Sequence, residues 1–338
     1  MRRVVSLAAS MFLANAAMAD AQLLDWTDLD GWRADDHAQA RAVYRTTCGD
    51  LTAGDWPAIC AFAAKQGSAR AFFETFFRPV VITDGSDPLF TGYYEPEILG
   101  SLTQTQTYSV PLYRSPKELS GRDLWLTREE IEASGVLKDR GLEIAWLSDP
   151  VDKFFLQIQG SGRIRLPDGE YLRLGYGGKN GHPFRSIGNE LVRRGEFQPH
   201  EVSAQVIRRW VARNPRDGAK LLWHNPSYVF FREVTNVPAD RGPLGAMNRS
   251  VTEGRTLAVD PNFVPLGAPV WLETEGPRAL RRLMVAQDTG SAIKGAQRGD
   301  IFFGTGADAG EVAGRTRDSG RQVVLLPIND AIALVEGN

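Results

Sequence analysis

A chain of 338 residues with 43% hydrophobic and 24% charged residues has ordinary globular proportions, which exclude a disordered or fibrous protein. The length suits two domains better than one. With 39 Lys and Arg against 41 Asp and Glu, the formal net charge of −2 lacks the basic excess expected of a general nucleic-acid binder.

The chain opens on Arg2 and Arg3, continues through a mostly apolar run over residues 4–17, and reaches Ala17-Met18-Ala19. This pattern predicts a secretory signal peptide over 1–19, cleaved after Ala19. The apolar run is shorter than the ~20 residues that span a bilayer. No Cys lies in or beside it to accept a lipid, so a protein that is soluble after export is expected. Cys48 and Cys60 are the two cysteines. In an oxidising compartment such a pair reads as a structural disulfide, and four His residues, with only His37 near in sequence, leave a zinc site short of ligands.

Residues 27–78 read as helical. Ala34, Ala38 and Ala42 recur at four-residue steps, Ala58-Ile59 and Phe62-Ala63 continue the helical period, and Ala71-Phe72-Phe73 with Phe76-Phe77 follow up to Pro79. From Val80 the texture is β. Short strands are predicted at 89–94, 108–113, 143–147, 154–158, 162–166 and 171–176, with a hairpin turn at Pro167-Asp168-Gly169. Helices are predicted at 124–137 and 203–214. Further strands follow at 255–259, 269–273, 280–287, 300–303 and 322–327. Short strands with Gly and Pro turns predict barrels, mainly β with some helices, rather than a doubly wound sheet.

Chemistry concentrates between Ala286 and Gly304. Asp288-Thr289-Gly290 and Asp300 are two carboxylates separated by Lys294 and Arg298, with glycines at 290, 295, 299 and 304 allowing tight turns. Asp260-Pro261 adds a third aspartate at a strand end. A Ca²⁺ or Mg²⁺ site lacks calcium-loop spacing. A pepsin-like dyad would need Asp318-Ser319-Gly320 as its second lobe, too close in sequence. A glycosidase acid remains open, as does the simpler role of turn and capping residues. A second cluster holds Gln157, Gln159 and Gly160-Ser161-Gly162, then Tyr176, Lys179, Asn180 and His182. Amides and aromatics of this kind line carbohydrate grooves, and equally make tight turns. No phosphate-loop, dinucleotide or serine-nucleophile motif is present.

The segments Phe90-Thr-Gly-Tyr-Tyr-Glu-Pro96, Gln157-Ile-Gln-Gly-Ser-Gly162, Gly178-Lys-Asn-Gly-His182, Ser186-Ile-Gly188, Asn225-Pro-Ser-Tyr-Val-Phe-Phe231, Val259-Asp-Pro261 and Asp288-Thr-Gly290 through Asp300 occur in one order. Together, over roughly residues 80–327, they resemble the membrane-bound lytic murein transglycosylase A (MltA) family with its C-terminal three-aspartate (3D) segment. The resemblance implies a double-psi β-barrel domain formed by 20–103 and 233–338, a smaller β-barrel domain inserted at 104–232, and a substrate groove between them. It implies non-hydrolytic cleavage of the MurNAc-β-1,4-GlcNAc bond of peptidoglycan to 1,6-anhydroMurNAc ends. Asp300 maps to the family's catalytic acid and Asp288 to its supporting aspartate. Thr91, Tyr93, Tyr94, Gln157, Gln159, Lys179, Asn180 and Lys294 are candidate substrate-binding residues, and Asp260 is read as structural. The expected partner is the peptidoglycan glycan strand, with no nucleic acid, cofactor or metal. The name-giving members are lipoproteins, and this chain lacks their acceptor Cys, so a soluble periplasmic form without a stable membrane anchor is expected. A glycoside hydrolase acting on the same groove and a non-catalytic wall-binding module are the alternatives.

Overall fold

The computed structural model describes residues 19–120 and 123–337, so the expected signal peptide, apart from Ala19, lies outside the described residues. The first strand, β1 (Asp20–Leu23), pairs antiparallel with β2 (Phe77–Thr83). Between them the predicted helical region forms α1 (His37–Thr47), α2 (Trp56–Ala63) and α3 (Ala69–Phe76). Asp36 caps α1 by accepting from Gln39 N–H, and Ser68 caps α3 by accepting from Ala71 N–H. Tyr44, Phe72 and Phe73 bury against Trp56 and Phe77, so the aromatic run is core. Cys48, just past α1, is disulfide-bonded to Cys60 in α2 with a Cα separation of 5.5 Å. Helix ends earlier than the apolar pattern implied: Phe77 opens β2 and Pro79 lies inside that strand, opposite Leu325. The β-branched run Val80-Val81-Ile82 favours the extended state there.

The larger sheet has the order β1-β2-β14-β11-β12-β10-β13-β3, where β3 is Leu89–Glu95, β10 Thr256–Val259, β11 Pro269–Glu275, β12 Arg281–Asp288, β13 Arg298–Thr305 and β14 Arg317–Pro327. A further pairing joins β14 back to β3 through Arg317↔Thr91 and Asp318↔Phe90. All four residues of β10 are buried, with β12 parallel on one side and β13 antiparallel on the other. Leu257, Val259, Val270, Leu283, Val285 and Val323 form the core that holds these strands rigid. Apart from the last residues of β3 and β13, these elements belong to one compact unit, comprising the described residues up to Tyr93, Leu244–Gly304, and those from Arg315.

A second unit comprises Tyr94–Pro243 and Thr305–Gly314. Its sheet has the order β5-β6-β4-β7-β8-β9, with β4 Glu97–Ser101, β5 Val110–Tyr113, β6 Glu143–Leu147, β7 Gly162–Arg165, β8 Tyr171–Lys179 and β9 Val229–Glu233. The predicted hairpin turn at Pro167-Asp168-Gly169 joins β7 to β8. The predicted strand at 154–158 is instead the C-terminal half of helix α5 (Pro150–Gln159). The start is set by Asp149, which accepts from Val151 N–H, and by Pro150 in the first turn; Gly160, left-handed at φ 77°, ends it. A short apolar run does not separate strand from buried helix by itself. The predicted helix at 124–137 contracts to α4 (Arg128–Ser134), bounded by the Thr127–Glu130 capping box and left-handed Gly135.

Helix α7 (Ala204–Arg213) matches the pattern reading, whereas α6 (Ile187–Arg193), α8 (Pro215–Trp223), α9 (Ala307–Arg315) and α10 (Ile328–Glu336) were not expected. The fold is therefore mixed α and β, with two sheets, rather than mainly β. Among the described residues no helix is long and apolar enough to cross a membrane.

Candidate active site

Asp288 ends β12 and Asp300 lies in β13, and both stand opposite Ala258 of the intervening strand β10. The β10–β12 register shifts between Leu257 and Ala258, so that Leu257 faces Ala286 while Ala258 faces Asp288. Two inter-strand steps put the aspartate backbones roughly 10 Å apart. On the same surface, Tyr93 and Phe302 pack ring to ring and cluster with Ala258 and Val251.

Each carboxylate has its own set of donors. Oδ2 of Asp288 accepts from the Tyr93 hydroxyl at 2.9 Å, and Oδ1 accepts from the backbone N–H groups of Ala246 and Thr289, each at 2.9 Å. Oδ1 of Asp300 accepts from the Thr91 hydroxyl at 2.5 Å, and Nη2 of Arg298 donates to that hydroxyl at 2.8 Å. Period-two alternation along β3 places Thr91 and Tyr93 on one face, so a single strand serves both aspartates.

Burial raises both carboxyls, against different hydrogen-bond donors. Desolvation raises the Asp300 carboxyl to about 6, with the Asp288 charge pushing the same way and the Thr91 hydrogen bond and Arg298 charge opposing. Asp288 is also raised by burial, against three donors that favour its ionised form. Burial and the Asp288 carboxylate hold the Tyr93 phenol well above its ordinary value, so Tyr93 is a neutral donor. Both aspartates keep part of their surface open to solvent. A carboxyl that keeps its proton up to about pH 6 and is reachable from outside can act as a general acid.

The segment between the aspartates is anchored at its far end. Oδ2 of buried Asp260 accepts from Gly295 N–H at 3.1 Å, its Oδ1 accepts from Asn262, and Asp84 accepts from Ala296 N–H at 3.0 Å. Lys294 is exposed, with Nζ 3.6 Å from Asp260 Oδ1. Asp260 is thus a brace beneath the loop that presents Lys294. Among the described residues, no group of three or more His, Cys, Asp and Glu side chains is placed to hold a metal ion.

The other sequence candidates lie in the second unit. Asn180 is wholly buried: its amide donates to Leu126 O and Pro226 O and its oxygen accepts from Tyr228 N–H, each at 2.8 Å. Gln157 is buried between the Arg128 guanidinium, which donates to it at 2.6 Å, and Val229 O, to which it donates at 2.7 Å. These two amides hold loops together. Gln159 Oε1 accepts from Tyr94 N–H at 3.2 Å, Tyr94 is half-buried, and Lys179 is exposed at the end of β8. Sequence reasoning missed the Ala246 N–H, for which no sequence signal exists, and the approach of Arg298 to Thr91, which only the pairing of the strands creates.

Comparison with known proteins identifies the family of the fold. Residues 89–232 match the MltA specific insert domain and residues 255–326 match the 3D domain. A membrane-bound lytic murein transglycosylase structure from Agrobacterium tumefaciens superimposes with a TM-score of 0.83 at 33% identity, covering 93% of this chain and 99% of that one. A structure of E. coli MltA with bound chitohexaose superimposes with a TM-score of 0.72 at 30% identity, covering 91% and 94%. Membrane-bound lytic murein transglycosylase A of Escherichia coli K12 is 37% identical over 247 residues, which span 70% of this chain and 65%, just under two-thirds, of that protein. Fold and site define the class, a 3D-domain protein carrying an inserted second domain. The chain belongs to the membrane-bound lytic murein transglycosylase A family.

Proposed function

We propose that the protein is a periplasmic lytic transglycosylase that cleaves the MurNAc-β-1,4-GlcNAc bond of peptidoglycan without water. Asp300 begins protonated and donates to the glycosidic oxygen as the bond to C1 breaks. The resulting carboxylate then accepts the proton of the muramoyl C6 hydroxyl as that oxygen attacks C1, closing the 1,6-anhydro ring and regenerating the acid. The intramolecular attack supplies a high effective molarity. One group working in turn as acid and base needs no second carboxylate to activate water.

The observation that carries this reading is Asp300 itself, raised to about 6, part-exposed, and held through one oxygen by Thr91. Asp288 is read as a supporting charge: its three donors leave it poorly suited to attack carbon, while its negative charge raises Asp300. Lys294, Lys179 and Tyr94 are read as glycan contacts, and Gln157 and Asn180 as scaffolding for them. The cycle of pairings β14-β11-β12-β10-β13-β3 and back to β14 supports a barrel reading of the larger sheet. The chitohexaose bound by the E. coli relative supports a glycan as ligand. The test is digestion of purified sacculi followed by mass spectrometry of the muropeptides. Anhydro-ended products are expected, and reducing ends would make the protein a hydrolase.

A further inference from the structure

We propose that Arg298 and Thr91 form a positioning relay that reserves Oδ1 of Asp300 as a hydrogen-bond acceptor and confines the transferable proton to Oδ2. The proposal rests on Asp300 being the acid–base group.

Each hydrogen bond in the relay has a direction fixed by the protons available. Arg298 has donors and no acceptor, so at its 2.8 Å contact the Thr91 oxygen must accept. A threonine hydroxyl has one proton to give, and among the described residues the acceptor it meets is Asp300 Oδ1 at 2.5 Å. An Oδ1 that receives this bond is the wrong place for the carboxyl proton, which is left to Oδ2. The relay is directional because Arg298 is itself fixed: Nη1 donates to Leu89 O at 3.2 Å and to Gly299 O at 2.5 Å. The guanidinium therefore spans the start of β3 and the strand that carries Asp300, and it cannot turn without losing both carbonyls. Without the relay either carboxyl oxygen could hold the proton, and only one orientation serves a given glycosidic oxygen.

The charged and titratable groups facing Asp300 are Arg298 on its own strand, Tyr93 on β3 and Asp288 on β12, with Arg317 of β14 close enough to act on Arg298. Of these, Arg298 together with the Thr91 hydroxyl stabilises the ionised form, and Asp288 opposes it. Breaking the relay therefore raises the pH at which Asp300 loses its proton, a change that a merely structural residue would not produce.

The experiment follows the carboxyl ¹³C signal of Asp300 in the full folded chain through a pH titration, assigned by its loss in Asp300→Asn. Thr91→Val and Arg298→Gln should move the midpoint up by about 1 pH unit. Thr91→Ser, which keeps the hydroxyl, should titrate like the wild type. Anhydromuropeptide release should follow, with the alkaline limb displaced upward in the first two variants and the acid-plateau rate reduced about ten-fold. Coincident midpoints in wild type, Thr91→Val and Arg298→Gln would overturn the relay, as would a Thr91→Ser curve matching that of Thr91→Val. Because the titration is read without substrate, shifted midpoints in a protein that releases no anhydro product would uphold the relay and sink the proposed reaction. Unshifted midpoints in an active enzyme would do the reverse.

Discussion

Asp288 and Asp300 face the same residue, Ala258, from the two strands that flank it, yet they have no hydrogen-bond donor in common. Tyr93 serves the first and Thr91 the second, so β3 sets both carboxylates while keeping their environments distinct. Substitutions at the two positions should accordingly have different consequences. Asp300→Asn keeps shape and an acceptor for Thr91 but cannot exchange a proton, and should lower anhydromuropeptide release by ~10²–10⁴-fold. Asp288→Asn should retain a measurable rate. Sacculus co-sedimentation checks that both variants still fold. A near-wild-type Asp300→Asn alongside an inactive Asp288→Asn would reverse the roles.

If Asp300 is the acid of the proposed reaction, its carboxyl, raised to about 6, should also set the pH dependence. Activity should fall as pH rises through that value, because the acid form is lost. Stability moves in the same direction. A folded-state value above the unfolded one contributes stability below the ordinary carboxylate range and loses it as pH rises through about 6. Asp300→Asn should therefore be more stable than wild type at pH 8, by up to about 3 kcal/mol, and no more stable at pH 4. Thermal unfolding of both proteins at the two pH values is the check.

The helical segment, both hairpin strands and the Asp288–Asp300 cluster were legible because each has a local cause: apolar period, turn chemistry, or carboxylates among glycines. Three kinds of feature were not. Helix α5 looked like a strand because Phe154-Phe155-Leu156 is too short a run to declare its period, and its caps outweighed that run. The buried partners of Asn180 and Gln157 were not legible because an amide that satisfies buried carbonyls has the same sequence signature as one that binds sugar. Arg298 meets Thr91 only because β13 and β3 are neighbours in the sheet, a long-range pairing that local patterns do not encode.

The buried amide gives a prediction that separates scaffold from ligand contact. Asn180→Ala leaves the Leu126 carbonyl and the Tyr228 N–H without a partner, each costing ~1–3 kcal/mol, while Pro226 O keeps its bond from Arg128 N–H. The variant should unfold at markedly lower denaturant, with the substrate KM of its remaining folded fraction little changed. A normal unfolding midpoint with a raised KM would instead make Asn180 a direct glycan contact.

Reduction of the Cys48–Cys60 bond should lower stability by ~2–4 kcal/mol and spare the chemistry, because it links α1 to α2 and makes no contact with either aspartate. Denaturant unfolding with and without reductant, beside an activity assay under refolding-permissive conditions, measures both. Unchanged stability, or activity lost while the fold persists, would count against this.

Chelation should leave the rate unchanged, since the Asp288 oxygens are already engaged by N–H and O–H donors and one Asp300 oxygen by Thr91. The assay is muropeptide release after dialysis against a chelator. A loss restored by added metal would overturn the acid–base scheme.

The central claim, that the C6 hydroxyl rather than water attacks C1, is tested most directly by digesting sacculi in ¹⁸O-enriched water. The account predicts muropeptides one water lighter than hydrolytic products and free of ¹⁸O at the muramoyl end. Reducing muramoyl ends carrying ¹⁸O at C1 would contradict it.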